Sequence, residues 1–346
     1  MTQSNLKTCT MTPVSINKKS IVYQITGLFF AVGCVAYLFF HTDWHHLSTN
    51  LTAIKFETVF WIMTLYSLSF IPRTLRLKFQ ADSLADVTLL YSLKTVALGY
   101  IANNFLPFRL GEVLRTLYFA SRTNIAIPAA FSITLIERLL DVLVILLLFL
   151  IGLAFAIPKF EDLLEAVDNS GLVRILFIVT ALSILFFIGA ICTFRKTKYW
   201  KTARLLAQQF LKPFIVFRKL KTATLLAGLT LAIWLIELMV IYVAARAFDL
   251  SDPKIFSLLL LGALAIGMVL PGTPGNIGIF EAAFVSTGML IGAPIETTLA
   301  MAIVVHFLQI VVIMLLGLMG FSQSLFSFGL KGLVKKALRE FFAGRR

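Results

Sequence analysis

The stretch Leu270-Pro271-Gly272-Thr273-Pro274-Gly275-Asn276-Ile277-Gly278-Ile279-Phe280-Glu281 lies inside an apolar region, residues 255–291, long enough to cross a membrane and return. A helix cannot continue through it, because proline lacks a backbone N–H and glycine loses extra backbone entropy on ordering. At membrane depth, unpaired backbone is tolerated only where it is buried in protein or lines a wet cavity. The stretch therefore predicts a helix broken at the midplane and a substrate site there. The candidate site residues are Pro271, Gly272, Gly275, Asn276, Gly278 and Glu281.

Composition places the chain among membrane proteins that cross the bilayer several times. Of its 346 residues 59% are hydrophobic and only 14% are charged, which excludes a soluble domain. The formal net charge of +14 comes from basic clusters between apolar spans, the pattern of cytoplasmic loops against anionic lipid. We therefore expect no nucleic-acid partner. The three cysteines are scattered and predict neither a disulfide framework nor a metal site.

Loop charges predict the path of the chain through the membrane. Residues 195–221 carry many basic residues and no acid, so they are predicted to be cytoplasmic. Counting back along the spans, residues 72–86, a basic segment with Arg73 and Arg76, are predicted to be cytoplasmic too. Residues 87–120 then enter and leave on the same side, as a re-entrant helical hairpin.

The second half repeats this plan upside down, because residues 255–292 start and finish outside by the same count. Inverted repeats with broken helices that meet at the midplane are typical of transporters. We predict an all-α polytopic protein of the cell inner membrane, with six full spans, two oppositely oriented re-entrant hairpins and both termini in the cytoplasm. The N-terminal repeat, 1–160, comprises spans 21–40, 56–71 and 125–157 and the hairpin 87–120; the C-terminal repeat, 161–325, comprises spans 172–194, 223–248 and 294–321 and the hairpin 255–292; a basic amphipathic cytoplasmic tail follows at 326–346.

Charged residues inside the third span are candidates for chemistry, because ionisable groups in a membrane are costly and usually face a cavity or the bundle interior. Glu137 and Asp141 are four residues apart, hence on one helical face, and Arg138 is placed to pair with Asp141. We expect Arg138 and Asp141 to offset each other's desolvation cost. One interpretation is a structural lock between the span and a hairpin; the other is a passage for a charged head group.

The tip of the first hairpin, residues 103–111, is a candidate anion site. A helix that begins near Leu110 has free N–H groups at the tip, and these, like Arg109, favour an anion. The alternative is a hairpin base solvated by cytoplasmic water. The candidate residues are Asn103, Asn104, Arg109, Glu112 and Arg115.

Three polar residues in the second half are candidates, and two of them, Glu281 and His306, have two interpretations each. Glu281 is either a proton or cation site or a partner for a cation across the bundle. His306 and Gln309, in the last span, occupy the place that Glu137 and Asp141 hold in the first half. His306 is either a hydrogen-bonded packing residue or a proton relay.

Three motifs follow one another along the chain. They are Asn103-Asn104-Phe105-Leu106-Pro107 through Arg109-Leu110-Gly111-Glu112-Val113-Leu114-Arg115, then Glu137-Arg138-Leu139-Leu140-Asp141, then Pro271-Gly272-Thr273-Pro274-Gly275-Asn276-Ile277-Gly278 through Glu281-Ala282-Ala283. Together they resemble the lysylphosphatidylglycerol synthase transmembrane family, a flippase-like membrane domain, over nearly the whole chain.

The resemblance implies a bacterial or archaeal protein that moves, or helps to move, a lipid with a charged or glycosylated head group between leaflets. The family commonly has Pro-Gly-Arg where this chain has Pro107-Phe108-Arg109, which predicts a stiffer or bulkier tip. The chain ends soon after the last predicted span, so we expect no soluble aminoacyl-transferase domain and no lysyl transfer.

The function expected is therefore that of a lipid flippase or transporter, without a nucleotide-binding loop for ATP-driven pumping. One alternative is a membrane-embedded enzyme that acts on lipid phosphate or polyprenyl phosphate, with Glu137, Asp141 or His306 as acid or base. Another is a membrane partner of a lipid-modifying enzyme or glycosyltransferase that transports nothing itself. The expected partners are an anionic or lipid-linked membrane lipid and either a separate lipid-modifying enzyme or a second copy of the chain. No cofactor, metal or nucleic acid is expected.

Overall fold

A computed structural model describes residues 42–106, 109–123, 125–156, 200–267 and 273–321, together with residues 33, 36, 37, 39 and 40. These residues form helices and no β-strand, which confirms the predicted all-α fold for this part of the chain. The predicted span 172–194, most of span 21–40 and the tail 326–346 lie outside the described residues. The helices are α1 (Trp44–Thr52), α2 (Phe56–Ala81), α3 (Leu89–Phe105), α4 (Leu110–Arg122), α5 (Ile127–Ala156), α6 (Trp200–Leu211), α7 (Leu220–Ala247), α8 (Pro253–Gly267), α9 (Ile279–Leu290) and α10 (Ile295–Phe321), with 3₁₀ turns at Lys212–Arg218 and Pro274–Asn276.

Three of the described helices are long and apolar enough to cross a membrane: α5, α7 and the Ile295–Gly317 part of α10. They overlap the predicted spans 125–157, 223–248 and 294–321. A fourth span is counted if α1 and α2, which are bent by 80° at the break between them, are taken together. The total of six spans, the re-entrant paths and the inverted repeat stay predictions.

The prediction of a basic loop after residue 71 is wrong. Helix α2 continues through Pro72 to Ala81, and Arg73 and Arg76 are buried, with 6% and 2% of their surface exposed. Both side chains turn into the bundle, where carboxylates of other helices bind them. Two of the cations that assigned residues 72–86 to the cytoplasm are therefore buried in the bundle.

Helices α3 and α4 form an antiparallel hairpin. At its base the Tyr91 hydroxyl donates to the Tyr118 carbonyl at 3.0 Å. At its tip the two helices are so close that a Cβ on Gly111 would lie 2.3 Å from Asn103 Oδ1. Helix α3 ends at Phe105 and α4 begins at Leu110, so the chain reverses within the predicted tip, residues 103–111.

Helices α8 and α9 form a second antiparallel hairpin. The Phe256 and Phe284 rings pack 6.1 Å apart near its base, and a Cβ on Gly267 would lie 2.8 Å from Ile279 near its tip. The short 3₁₀ turn Pro274–Asn276 precedes α9. The prediction that a helix stops at this stretch is confirmed, since Gly275 and Gly278 have φ of 66° and 90°.

Candidate functional site

The two hairpin tips contact each other at the edge of a cavity of about 470 Å³. A Cβ built on Gly275, in the second tip, would lie 3.5 Å from Asn104 Oδ1, in the first. The cavity is lined by residues from both halves of the chain. Predicted site residues among its walls are Asn103, Asn104, Arg109, Glu112, Arg138, Asp141, Gly275, Asn276, His306 and Gln309.

Four other predicted site residues do not line the cavity. Arg115 and Glu137 lie behind the first tip, and Gly278 and Glu281 lie behind the second, where each contacts another site residue. Pro271 and Gly272 lie outside the described residues. The cavity also has polar and aromatic lining that was not predicted: Tyr66, Arg73, Tyr100, Trp234, Glu237 and Phe280.

Six charged side chains beside the cavity form a closed ring in which arginines and carboxylates alternate. The ring joins α2, α4 and α5. Its successive contacts are Arg115–Glu137 at 2.7 Å, Glu137–Arg76 at 3.9 Å, Arg76–Asp141 at 2.6 Å, Asp141–Arg138 at 3.3 Å, Arg138–Glu112 at 3.3 Å and Glu112–Arg115 at 3.8 Å. Three positive and three negative charges balance, so each buried ion has an opposite charge beside it, as burial requires.

Arg138 and Asp141 form the predicted ion pair, but each has other partners as well. The pair is present at 3.3 Å, but the closer cation to Asp141 is Arg76, and Trp234 Nε1 also donates to Asp141 at 3.0 Å. Arg138 in turn binds Glu112. Removing Arg138 and Asp141 together would therefore leave Arg76 and Glu112 with only their longer ring contacts, to Glu137 at 3.9 Å and to Arg115 at 3.8 Å.

The contact between Arg115 and Glu137 ties the third predicted span to the first hairpin. Glu137 is 1% exposed and receives a hydrogen bond of 2.7 Å from Arg115 on α4. This contact is the one expected if the charged residues of the third span form a structural lock to the first hairpin. Arg138, whose side chain is 34% exposed, faces the cavity one residue later, so adjacent residues of α5 have different surroundings.

A second buried ion pair joins α2 to α7 on another wall of the cavity. Arg73 donates to Glu237, and its guanidinium carbon lies 5.2 Å from the centre of the Tyr100 ring. Such a position over an aromatic face adds a cation–π attraction. Neither Arg73 nor Glu237 was among the predicted site residues, and Arg73 was assigned to the basic segment after the second span.

Arg109 is the N-cap of α4 and differs from the other arginines of the cavity. Its backbone is left-handed, with φ of 54° and ψ of 30°, which costs an L-residue roughly 1–2 kcal/mol. Among the described residues, no carboxylate lies within 4.0 Å of its guanidinium, although Glu112 and Arg138 act on it from further away. A strained cation without an ion pair is thus held at the first tip, beside the free N–H groups of α4.

Some polar atoms near Arg109 have no hydrogen-bond partner in the described part of the chain, although they are buried. Two of them are donors, Asn104 Nδ2 and Arg138 Nε, and two are acceptors, Asn103 Oδ1 and Glu112 Oε2. Buried polar groups are normally satisfied, so these atoms leave hydrogen-bonding capacity unused next to the cavity.

The second tip is fastened by His306. Its Nδ1 lies 2.7 Å from Glu281 Oε1, and its Nε2 lies 2.8 Å from the carbonyl oxygen of Gly275. The other oxygen of Glu281 accepts the Gly278 N–H at 2.6 Å and so caps α9. Glu281 and His306, predicted separately, are thus brought together by the fold.

The rest of the cavity wall is apolar. Val142 and Ile145 of α5, Leu261 and Leu264 of α8 and Ile310 of α10 line it. A cavity with charged and apolar walls matches a molecule that has both kinds of surface. In the part of the chain that the structure describes, no three His, Cys, Asp or Glu side chains are grouped to hold a metal ion.

Comparison with known proteins agrees with the motifs in the sequence. The model of the family described as lysylphosphatidylglycerol synthase TM region matches residues 24–317. No curated protein matches the chain. The match covers both hairpins, the charged ring and the helix that carries His306. The chain is therefore a membrane protein that belongs to the lysylphosphatidylglycerol synthase TM region family.

Proposed function

We propose that the protein moves a lipid with an anionic or phosphate-bearing head group between the two leaflets of the membrane. The observation that carries this proposal is Arg109, a cation without an ion pair among the described residues, in a cavity where both hairpin tips meet. Membership of a family of lipid metabolism or transport is consistent with such a substrate.

The balance of charge favours an anion. Around the cavity each of five acidic side chains has a basic partner within 4.0 Å, and one described arginine is left over, Arg109. An anionic head group would supply the missing negative charge, and the low polarity of the surroundings would strengthen the attraction. The partner pairs are Glu112–Arg138, Glu137–Arg115, Asp141–Arg76, Glu237–Arg73 and Glu281–His306.

The hydrogen-bond donors favour phosphate or a similar oxyanion. Arg109, Arg138 and Asn104 line the cavity, and Arg138 Nε and Asn104 Nδ2 donate no hydrogen bond to the described residues. The first N–H groups of α4, next to Arg109, add a partial positive charge at the same place. We infer that the head group binds at the first tip and that its acyl chains extend toward the apolar wall.

The proposed path needs the two halves to face opposite sides of the membrane. We therefore retain, as part of the proposal, six spans, two opposed re-entrant hairpins and an inverted repeat in the inner membrane, with both termini in the cytoplasm. In the proposed path, each hairpin places a helix break at the midplane of the membrane. A separate lipid-modifying enzyme or a second copy of the chain stays a proposed partner.

A membrane-embedded enzyme is supported less well. The carboxylates that would act as acid or base, Glu137 and Asp141, each accept a hydrogen bond from an arginine, which takes up their lone pairs. Glu137 does not line the cavity. Neither residue is therefore suited to proton transfer with a substrate.

The variant Arg109→Gln tests the proposal. Losing a charge-assisted hydrogen bond of about 1.5–3 kcal/mol should slow the movement of fluorescent phosphatidylglycerol in proteoliposomes roughly 10- to 100-fold. Arg246→Gln is the control, because Arg246 is an exposed arginine in the last turn of α7. Equal rates for both variants and the parent, at equal folded protein, would contradict the assignment of Arg109 to the head group.

A further inference from the structure

The hydrogen bonds of His306 require one proton more than a neutral imidazole and an ionised Glu281 would hold between them. Both of its ring nitrogens face oxygen atoms, Nδ1 facing Glu281 and Nε2 facing the Gly275 carbonyl. A carbonyl oxygen accepts hydrogen bonds and never donates them, so Nε2 must carry a hydrogen. Turning the ring over would place carbon atoms against both oxygens and remove both bonds.

The Glu281 contact then fixes the number of protons. If Glu281 is ionised, it only accepts, and Nδ1 must carry a hydrogen as well, which makes His306 an imidazolium. If His306 is neutral, Nδ1 is an acceptor, and Glu281 must be protonated to donate to it. In both cases the two side chains together hold one proton more than a neutral imidazole and a carboxylate.

This proton controls the second tip. Without it, one of the two contacts would bring two lone pairs together, and the bond to Gly275 or the bond to Glu281 would be lost. Either the turn Pro274–Asn276 would then lose its hydrogen bond to α10, or α9 would lose its hydrogen bond to α10. We infer that Glu281 and His306 form a proton-binding site whose proton locks the second tip and whose loss releases it. This inference rests on the proposed function, for which it supplies a coupling ion.

Among the described residues, the charged side chains that line the same cavity are paired with one another, except Arg109 at the first tip and His306 itself. From the neighbouring helices, Arg73 of α2 and Glu237 of α7 line the same cavity but bind each other, and Tyr66 and Tyr100 are neutral phenols. His306 lines the cavity, so a proton can reach the pair from the cavity. Release of the proton would also remove one positive charge, so a proton and an anionic head group are expected to favour each other's binding.

The variant Glu281→Gln separates the proton from the hydrogen bonds. Its amide oxygen can accept the Gly278 N–H while its amide nitrogen donates to Nδ1 of a neutral His306, so every contact is kept without the extra proton. Glu296→Gln is the matched control, since Glu296 is a carboxylate in the first turn of α10 that does not line the cavity. The two variants differ only in which carboxylate is neutralised.

The position of the tip is measured with a spin label on a cysteine at Ile277, which is 55% exposed, after the three native cysteines are replaced by serine. The protein is placed in vesicles of phosphatidylethanolamine and phosphatidylglycerol, and spectra are recorded from about pH 5 to about pH 9. We expect the label to become mobile as the pH rises in the parent and in Glu296→Gln, with the ratio of released to locked tip changing at least about tenfold. In Glu281→Gln we expect a locked tip at every pH.

Lipid movement is measured in the same vesicles, so that the two proposals can fail separately. Identical pH profiles in the parent and in Glu281→Gln would overturn the proton site, even if lipid moves. A pH-dependent tip in vesicles where no variant moves lipid would support the proton site and contradict the proposed transport. Selective ¹⁵N labelling of the four histidines, together with ¹³C labelling of the glutamate carboxyl groups, adds a check that does not depend on the spin label. The parent should show two protonated ring nitrogens or a protonated Glu281, and Glu281→Gln a single protonated nitrogen, Nε2.

Discussion

Replacing Arg76 by Met is expected to destabilise the fold far more than the same change at Arg138. Arg76 is 2% exposed and donates to the two oxygens of Asp141, at 2.6 and 3.3 Å, and to Thr230 at 3.1 Å. Its loss leaves the ring with an unbalanced negative charge in a dry site, which costs about 3–5 kcal/mol. Arg138, with 34% of its side chain exposed, keeps contact with solvent, and its loss should cost about 0–1 kcal/mol.

A double variant tests whether the loss comes from charge imbalance. Combining Arg76→Met with Asp141→Asn removes one positive and one negative charge, and the remaining four ring members still alternate in sign. The double variant should therefore recover about 1–3 kcal/mol of the loss in Arg76→Met.

The free energy of unfolding is measured by denaturant titration of the purified protein in detergent, with helix content as the signal. Arg138→Met is the matched control, because both arginines bind Asp141. If Arg76→Met is as stable as the parent, or loses no more than Arg138→Met, then Asp141 does not lie in a dry site and the ring does not support the fold.

Two further predictions test the first hairpin. Gly111→Ala should destabilise the protein by at least about 1–3 kcal/mol, because the added Cβ would lie 2.3 Å from Asn103 Oδ1. Gly228→Ala, where no atom lies within 4 Å, should instead be neutral or stabilising in thermal unfolding, and a reversed order would disprove the close packing of the tip. Cysteines placed at 82 and 122 should both be shielded from an impermeant thiol reagent added outside the cell, and labelling from opposite sides would show that residues 87–120 cross the membrane completely.

The helix breaks and the charges in the third span could be predicted from the sequence, because each stands out from its surroundings. Gly and Pro interrupt an apolar run, and Glu137, Arg138 and Asp141 interrupt another. Both signals are local. They depend on residue type and on spacing along one helix, which the sequence gives directly.

Arg73 and Arg76 were assigned wrongly, because arginines at the end of an apolar run are usually cytoplasmic. The candidate site residues gave no sign of a missing cation, because their four carboxylates were matched in number by three arginines and a histidine. The carboxylates are Glu112, Glu137, Asp141 and Glu281, and the basic residues are Arg109, Arg115, Arg138 and His306.

The pairing of Glu281 with His306 could not be predicted, because it depends on how two helices face each other. The residues are separated by 25 positions and lie on α9 and α10. Their contact is set by the rotation of each helix about its axis, and the apolar pattern of α10 is too uniform to indicate one buried face.

In the proposed function, the protein moves lipid between leaflets without changing it chemically. The most direct test is to reconstitute the purified protein in vesicles that contain fluorescent phosphatidylglycerol, to bleach the outer leaflet with an impermeant reductant and to analyse the recovered lipid by mass spectrometry. The proposed function predicts that nearly all the fluorescence is lost, at a rate that Arg109→Gln slows, and that the lipid mass is unchanged. Protection of the inner-leaflet half, as in vesicles without protein, or conversion of the lipid to a product would contradict it.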